Sequence, residues 1–208
     1  MAVKDIFEAV LTFNGDGVKT MVTEEIEAGT DVNSILNDGL ISAMDEVGAR
    51  FSSGEFFVPE MLMAAQVMKM GLEILKPHLS AGSAESKGTV VIGTVKGDLH
   101  DIGKNLVAMM LEGAGFNVID IGVDADSAKF VTTAEEKGAK VVALSALLTT
   151  TMPAMAATVK AFKEAGSTAK VIIGGAPVSN DFADQIGADG YSDSAPGAVE
   201  LTRSLVAA

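Results

Sequence analysis

Residues 89–208 repeat one unit, a short β-branched apolar run followed by a helical pattern. Thr89–Val95, Val141–Ser145 and Val171–Ile173 are such runs, and Asn117–Ile121 is a weaker one. Apolar runs without polar alternation predict strands covered on both faces. The covering layers are predicted at Lys104–Gly113, Ser127–Lys137, Ala154–Ala165, Ser179–Ile186 and Pro196–Val206, where apolar residues follow the helical period. Strands alternating with helices specify a parallel, doubly wound sheet, with Gly190-Tyr191 as a short fifth strand. Ligands of such sheets sit beyond the carboxyl ends of the strands, so residues directly after strands become the candidates for function.

The first part of the chain has a different texture. Val3, Ile6, Phe7, Val10 and Leu11 keep a helical period that Asn14-Gly15 stops, and Gly17–Glu27 predicts a second helix. A third runs from about Asn33 through Leu40, Met44 and Val47 toward Gly54, and a fourth from Pro59 to Leu75. Four helices with short connections predict an antiparallel bundle. The small, polar, non-periodic stretch that follows predicts a flexible linker. The expected organisation is a helical-bundle cap over 1–80, a linker over 81–88 and a flavodoxin-like, Rossmann-type α/β domain over 89–208.

Charge and composition narrow the function. Lys and Arg number 15 against 28 Asp and Glu, a net charge of −13, which repels nucleic acid and anionic membranes. Without cysteine there is no disulfide, thiolate metal site or cysteine nucleophile, so a metal must be held by His or oxygen. Lys4, Asp5 and Glu8 interrupt the apolar character that a secretory signal needs, and no later window resembles a membrane span, so a cytoplasmic location is expected.

The first strand is followed by Lys96-Gly97-Asp98-Leu99-His100-Asp101-Ile102-Gly103. It matches neither a P-loop nor a G-x-G-x-x-G turn. Its centre is a histidine flanked by acids: an imidazole can ligate a metal through one nitrogen while the other donates to a carboxylate, and Asp98 stands two residues before His100. The same residues also suit an ordinary hydrogen-bonded loop histidine. After the third strand comes Ser145-Ala146-Leu147-Leu148-Thr149-Thr150-Thr151, whose hydroxyls can line a ligand or cap the helix near Pro153. After the fourth comes Gly174-Gly175, a tight turn or a place of close ligand approach.

Together, D-x-H-x-x-G at Asp98, His100 and Gly103, S-x-L at Ser145 and Leu147, and Gly174-Gly175 resemble the cobalamin-binding signature of methyltransferases and related corrinoid proteins. The bundle, with its Phe56-Phe57-Val58-Pro59-Glu60 turn before a Met-rich helix, resembles the cap of that family. The chain is similar over nearly its whole length to the small corrinoid proteins of methanol, methylamine and methoxyarene methyltransferase systems, and to the cobalamin-binding module of methionine synthase. The resemblance implies a corrinoid whose nucleotide base has left cobalt, with His100 as lower axial ligand. Gly97, Asp98, Asp101, Ile102 and Gly103 would then form the loop around that ligand. The tail would pass Ser145, Leu147, Thr149, Gly174 and Gly175, and Phe57 and Met61 would cover the upper face of the ring.

The resemblance further implies a methyl carrier. Cobalt would receive a methyl group from a substrate:corrinoid methyltransferase and yield it to a corrinoid:tetrahydrofolate or corrinoid:coenzyme M methyltransferase, with a reductive activase as third partner. An Asp98–His100–Ser145 relay would couple a proton to histidine coordination. A catalytic barrel of ~250 residues does not fit beside the two expected domains, so a component of an enzyme system is expected. Two other readings use the same residues. A cobalamin- or light-sensing regulator shares both domains, yet the charge is wrong for DNA, and His78, after Pro77 at a helix end, suits a surface role. A receiver-like signalling domain shares the α/β fold, but Asp98 and Asp101 lie in a single loop, with no separate phospho-acceptor setting.

Overall fold

The computed structural model describes residues 2–78 and 87–207. The linker expected over 81–88 therefore lies outside the described residues, apart from Lys87 and Gly88. The chain divides into two compact units, Met1–Glu85 with Gly113–Gly115, and Ser86–Glu112 with Phe116–Ala208.

The helical unit contains α1 (Ala2–Leu11), α2 (Gly15–Glu27), α3 (Val32–Ser34), a π-helical segment (Ile35–Ile41), α4 (Ser42–Ser52) and α5 (Val58–Leu75). Side chains close the helix starts. Asn14 accepts from the Gly17 N–H at 2.9 Å, Asp31 from the Asn33 N–H at 3.3 Å, and Glu60 from the Phe57 N–H at 3.0 Å. Ile6, Val10, Val18, Ile35, Leu40, Met44 and Leu75 form the buried interior. The third expected helix thus differs from a plain α-helix. A widened turn is intrinsically unfavourable, so packing must select it. The segment carries Gly39 against Ile6, where an added Cβ would lie 3.2 Å from Ile6 Cγ2.

The second unit is a five-stranded parallel sheet of order β2-β1-β3-β4-β5, built from β1 (Thr89–Thr94), β2 (Asn117–Asp120), β3 (Val141–Ser145), β4 (Lys170–Gly174) and β5 (Gly190–Tyr191). The connecting helices are α6 (Ile102–Gly113), α7 (Ser127–Lys137), α8 (Met152–Glu164) and α9 (Asn180–Ile186), and α10 (Ala195–Ala207) closes the chain. Val91, Val142, Leu144, Val171 and Ile173 pack with Phe130 of α7, Met155, Val159 and Phe162 of α8 and Ala183 of α9. The alternate strand residues Val90, Ile92, Val141, Ala143 and Ile172 are buried as well, as both faces of a doubly wound sheet must be. Right-handed crossovers from β1 to β2 and from β2 back to β3 run in opposite directions, so α6 and α7 fall on opposite faces. The strand order therefore reverses between β1 and β3, and a crevice opens at their carboxyl ends. Among the described residues no helix is long and apolar enough to cross a membrane.

Candidate functional site

The histidine loop leaves β1 at this crevice. Val95 donates its N–H to the Ser145 carbonyl at 3.0 Å, and the chain turns through Gly97, whose φ of 85° is in the left-handed region. Asp98 then folds inward and is fully buried. An unpaired buried carboxylate is costly, and this one collects donors on both oxygens. Oδ1 lies 2.7 Å from His100 Nδ1 and accepts the His100 N–H at 3.1 Å. Oδ2 accepts the Leu147 N–H at 2.8 Å, the Leu148 N–H at 3.3 Å and the Thr151 hydroxyl at 2.7 Å. Burial alone would raise the Asp98 pKa, but the Leu147, Thr151 and His100 donors outweigh it and hold the carboxyl well below the usual carboxylate range. An ionised carboxylate only accepts, so in the neutral imidazole Nδ1 carries the hydrogen and Nε2 keeps a lone pair. The His100 side chain is 51% exposed, and its carbonyl is held by the buried Thr94 hydroxyl at 2.8 Å.

Four large apolar side chains of the loops that carry His100 and the Asp98 donors are exposed. Leu99 is 70% exposed, Ile102 83%, Leu147 44% and Leu148 41%. They belong to the same two strand-end segments, and an uncovered apolar rim around convergent polar groups marks a ligand site. Asp101 is exposed and accepts from Asn105 Nδ2 at 3.1 Å, and a Cβ added at Gly103 would meet open space. Gly174 ends β4 beside the β3 segment and Gly175 follows it, the Ala146 N–H donating to the Gly174 carbonyl at 3.3 Å. At Gly175, with φ 134°, a Cβ would overlap the Ala146 carbonyl oxygen, whereas at Gly174 it would stop 3.1 Å from the Ser192 carbonyl. The protein's own backbone thus requires glycine at 175.

Of the expected relay residues, Asp98 and His100 are in contact. Ser145 ends β3, half-buried, and its hydroxyl makes no hydrogen bond to Asp98 or His100. The hydroxyl on Asp98 is that of Thr151, which precedes α8 without capping it. The run of threonines was the available signal, but which hydroxyl turns inward depends on the path of the loop. Thr149 is exposed. In the helical unit, Phe57 precedes α5 and is 65% exposed, whereas Met61 is buried, so of that pair only Phe57 presents a surface. Sequence reasoning also missed Lys104, a buried ammonium that donates to Asp120 at the end of β2 and to Asn105 Oδ1 at 2.6 Å. Asp124, which holds the start of the histidine loop, was missed too.

Two family models, each described as a B12 binding domain, match residues 88–200 and 2–76. The chain is 44% identical over 207 residues to dimethylamine corrinoid protein 1 of Methanosarcina acetivorans, covering 98% of this chain and 97% of that one. It is 41% identical to trimethylamine corrinoid protein 1 of the same organism, over 96% of this chain and 94% of that protein. Among solved structures, the methanol:cobalamin methyltransferase complex MtaBC of Methanosarcina barkeri matches with TM-score 0.89 and 31% identity, over 99% of this chain and 80% of the other. A cobalamin-binding protein of Desulfitobacterium hafniense matches with TM-score 0.82 and 30% identity, over 98% of both chains. The chain belongs to the B12-binding family of methyl-carrying corrinoid proteins, and it binds a corrinoid.

Proposed function

We propose that His100 is the lower axial ligand of the corrinoid cobalt and that Asp98 orients it. We further propose that the loaded protein passes a methyl group from a substrate-specific methyltransferase to a second one acting on tetrahydrofolate or coenzyme M. The observation that carries this reading is the His100–Asp98 pair. A buried, five-donor carboxylate holds Nδ1 and leaves Nε2, on a half-exposed ring, without a protein partner among the described residues. A carboxylate bonded to the far nitrogen of a metal-binding imidazole fixes its tautomer and strengthens it as a donor.

The donor set fits the group. Among the described residues no cluster of three or more His, Asp or Glu could hold a metal alone, so a metal on His100 needs its other ligands from elsewhere, as a corrin ring provides them. Leu99, Ile102, Leu147 and Leu148 supply an apolar bed, and Gly103 leaves room beside it. Ser145, Leu147, Thr149 and Gly174 flank the proposed path of the nucleotide tail, along the strand ends of β3 and β4. When bound, the corrinoid supplies the methyl-carrying chemistry at cobalt. The chain's own contribution is to hold a proton on Nδ1, keep Nε2 available and exclude water from the lower side. Because Asp98 stays ionised, it acts toward the imidazole only as an acceptor.

Methyltransferase partners follow from the family, and a structural relative is itself part of a methanol:cobalamin methyltransferase complex. The methyl donor is recognised in the partner, so methylamine and methanol methyltransferases both belong in the test. A reductive activase is the third proposed partner. The protein is reconstituted with hydroxocobalamin, and the cobalt(II) spectrum is recorded by electron paramagnetic resonance. Superhyperfine coupling from one protein nitrogen is expected, and its loss in His100→Ala. Coupling from labelled benzimidazole nitrogen instead would sink the assignment. Methyl transfer onto the loaded protein by each candidate methyltransferase then identifies the donor side.

A further inference from the structure

The loop between β2 and α7 carries a feature that cofactor binding does not by itself require. Asp124 has φ 52°, a left-handed conformation at a residue that is not glycine. Aspartate tolerates this region better than most residues, but holding it there still costs backbone energy, and such outliers persist where the surroundings over-determine them. Here the determinants are three bonds to three consecutive residues of the histidine loop. Asp124 Oδ1 accepts the Gly97 N–H at 2.8 Å, Oδ2 pairs with Lys96 Nζ at 2.9 Å, and the Asp124 N–H donates to the Asp98 carbonyl at 3.0 Å. The next residue continues the attachment, since the Ala125 N–H donates to the Thr94 carbonyl at 3.0 Å. The Gly97 N–H, then Lys96, draw the Asp124 carboxyl below the ordinary carboxylate range, consistent with an ionised grip.

We infer that Asp124 is a positioning residue that stitches Lys96-Gly97-Asp98 into one conformation and so presets the His100 imidazole before the corrinoid arrives. The inference rests on the reading of His100 as the cobalt ligand. Without the carboxylate, Gly97 and Lys96 lose their anchor, although the Asp124 backbone N–H on the Asp98 carbonyl and the contacts of the Asp98 carboxylate remain. The loop then samples other paths, and the population able to offer Nε2 falls. Binding weakens by the inverse of that population.

The test uses the full chain with Asp124→Gly, which relaxes φ but removes both carboxylate bonds, and Asp124→Asn, which retains one acceptor oxygen for Gly97. In the cofactor-free protein, amide hydrogen exchange at Gly97 and His100 is expected to accelerate roughly tenfold or more in Asp124→Gly, the scale of one lost charge-assisted bond. Asp124→Asn should stay within about threefold of the parent. In the protein loaded with hydroxocobalamin, Asp124→Gly should bind about tenfold more weakly and show a reduced histidine-on fraction in the cobalt(II) spectrum, which Asp124→Asn restores. Unchanged exchange at both amides overturns the inference. So does accelerated exchange with an unaltered histidine-on fraction, because the residue would then serve only the fold. If the parent itself lacks histidine coupling, the cobalt assignment fails, and the exchange data alone decide whether Asp124 stitches the loop.

Discussion

Replacing Thr151 by valine separates the observed arrangement around Asp98 from one that runs through Ser145. The Thr151 hydroxyl sits 2.7 Å from Asp98 Oδ2, and the residue is 7% exposed. Valine keeps the shape and deletes the donor. A hydrogen bond to a charged group contributes ~1.5–3 kcal/mol. Because the Leu147 and Leu148 amides remain on the same oxygen, the loss should fall near the lower end, at about 2 kcal/mol. Ser145→Ala removes a hydroxyl with no bond to Asp98 or His100 and should cost less than about 0.5 kcal/mol. The chain has a single tyrosine, Tyr191 in β5, and no tryptophan, so tyrosine fluorescence during urea unfolding reports on the α/β unit alone. With a slope of ~2 kcal/mol per molar, the valine variant's midpoint should drop by about 1 M. The pH dependence has a definite sign. A carboxyl whose pKa is depressed by folding contributes stability above its unfolded value, about 3.9, and loses that contribution as pH falls toward the folded value. Between the two variants the unfolded state cancels, so the gap should stay constant through neutral pH and past the unfolded value, and shrink only in stronger acid, as pH falls through the folded pKa of the valine variant, which protonates Asp98 first. A midpoint shift in Ser145→Ala as large as in Thr151→Val would refute the reasoning, and so would a gap that persists unchanged in acid.

Three further outcomes are expected. Gly175→Ala should destabilise the α/β unit by about 3 kcal/mol or more even without corrinoid, since its Cβ meets the Ala146 carbonyl in a left-handed backbone; a normal urea midpoint would refute this. Asp120→Ala strands the buried Lys104 ammonium and should cost about 3 kcal/mol, whereas Lys104→Met leaves the 40% exposed Asp120 to water and should cost clearly less; equal midpoints would show that the pair is not asymmetrically buried. Asp98→Asn should retain most of the corrinoid affinity while lowering the histidine-on fraction above pH 7, read from visible spectra, and an unchanged fraction would reduce Asp98 to a loop cap.

The alternation of β-branched runs with helical periods was sufficient to place β1, β3 and β4, because a buried parallel strand must be apolar throughout and its crossover helix must carry one apolar face. Val141–Ser145 and Ser127–Lys137 were read to the residue, since a sharp change of polarity bounds each. The loop holding Asp98 and His100 was legible for a related reason: a D-x-H pair directly after a strand has a short-range geometry, and the carboxylate does meet Nδ1. Parts that depend on distant neighbours were not legible. The π-helical turn at Ile35–Ile41 keeps the apolar pattern of an ordinary helix and differs only through what packs against it. Ser145, Thr149 and Thr151 are equivalent hydroxyls in the sequence, and the path of the β3–α8 loop alone turns Thr151 onto Asp98. Lys104 reads as a surface lysine until Asp120, brought alongside by the pairing of β1 and β2, makes its burial tolerable. Composition and periodicity decide which elements form, because burial and backbone geometry act locally. Which polar side chains meet across the strand ends is decided by the sheet order, since a hydrogen bond depends on a separation of about 3 Å that no spacing along the chain encodes.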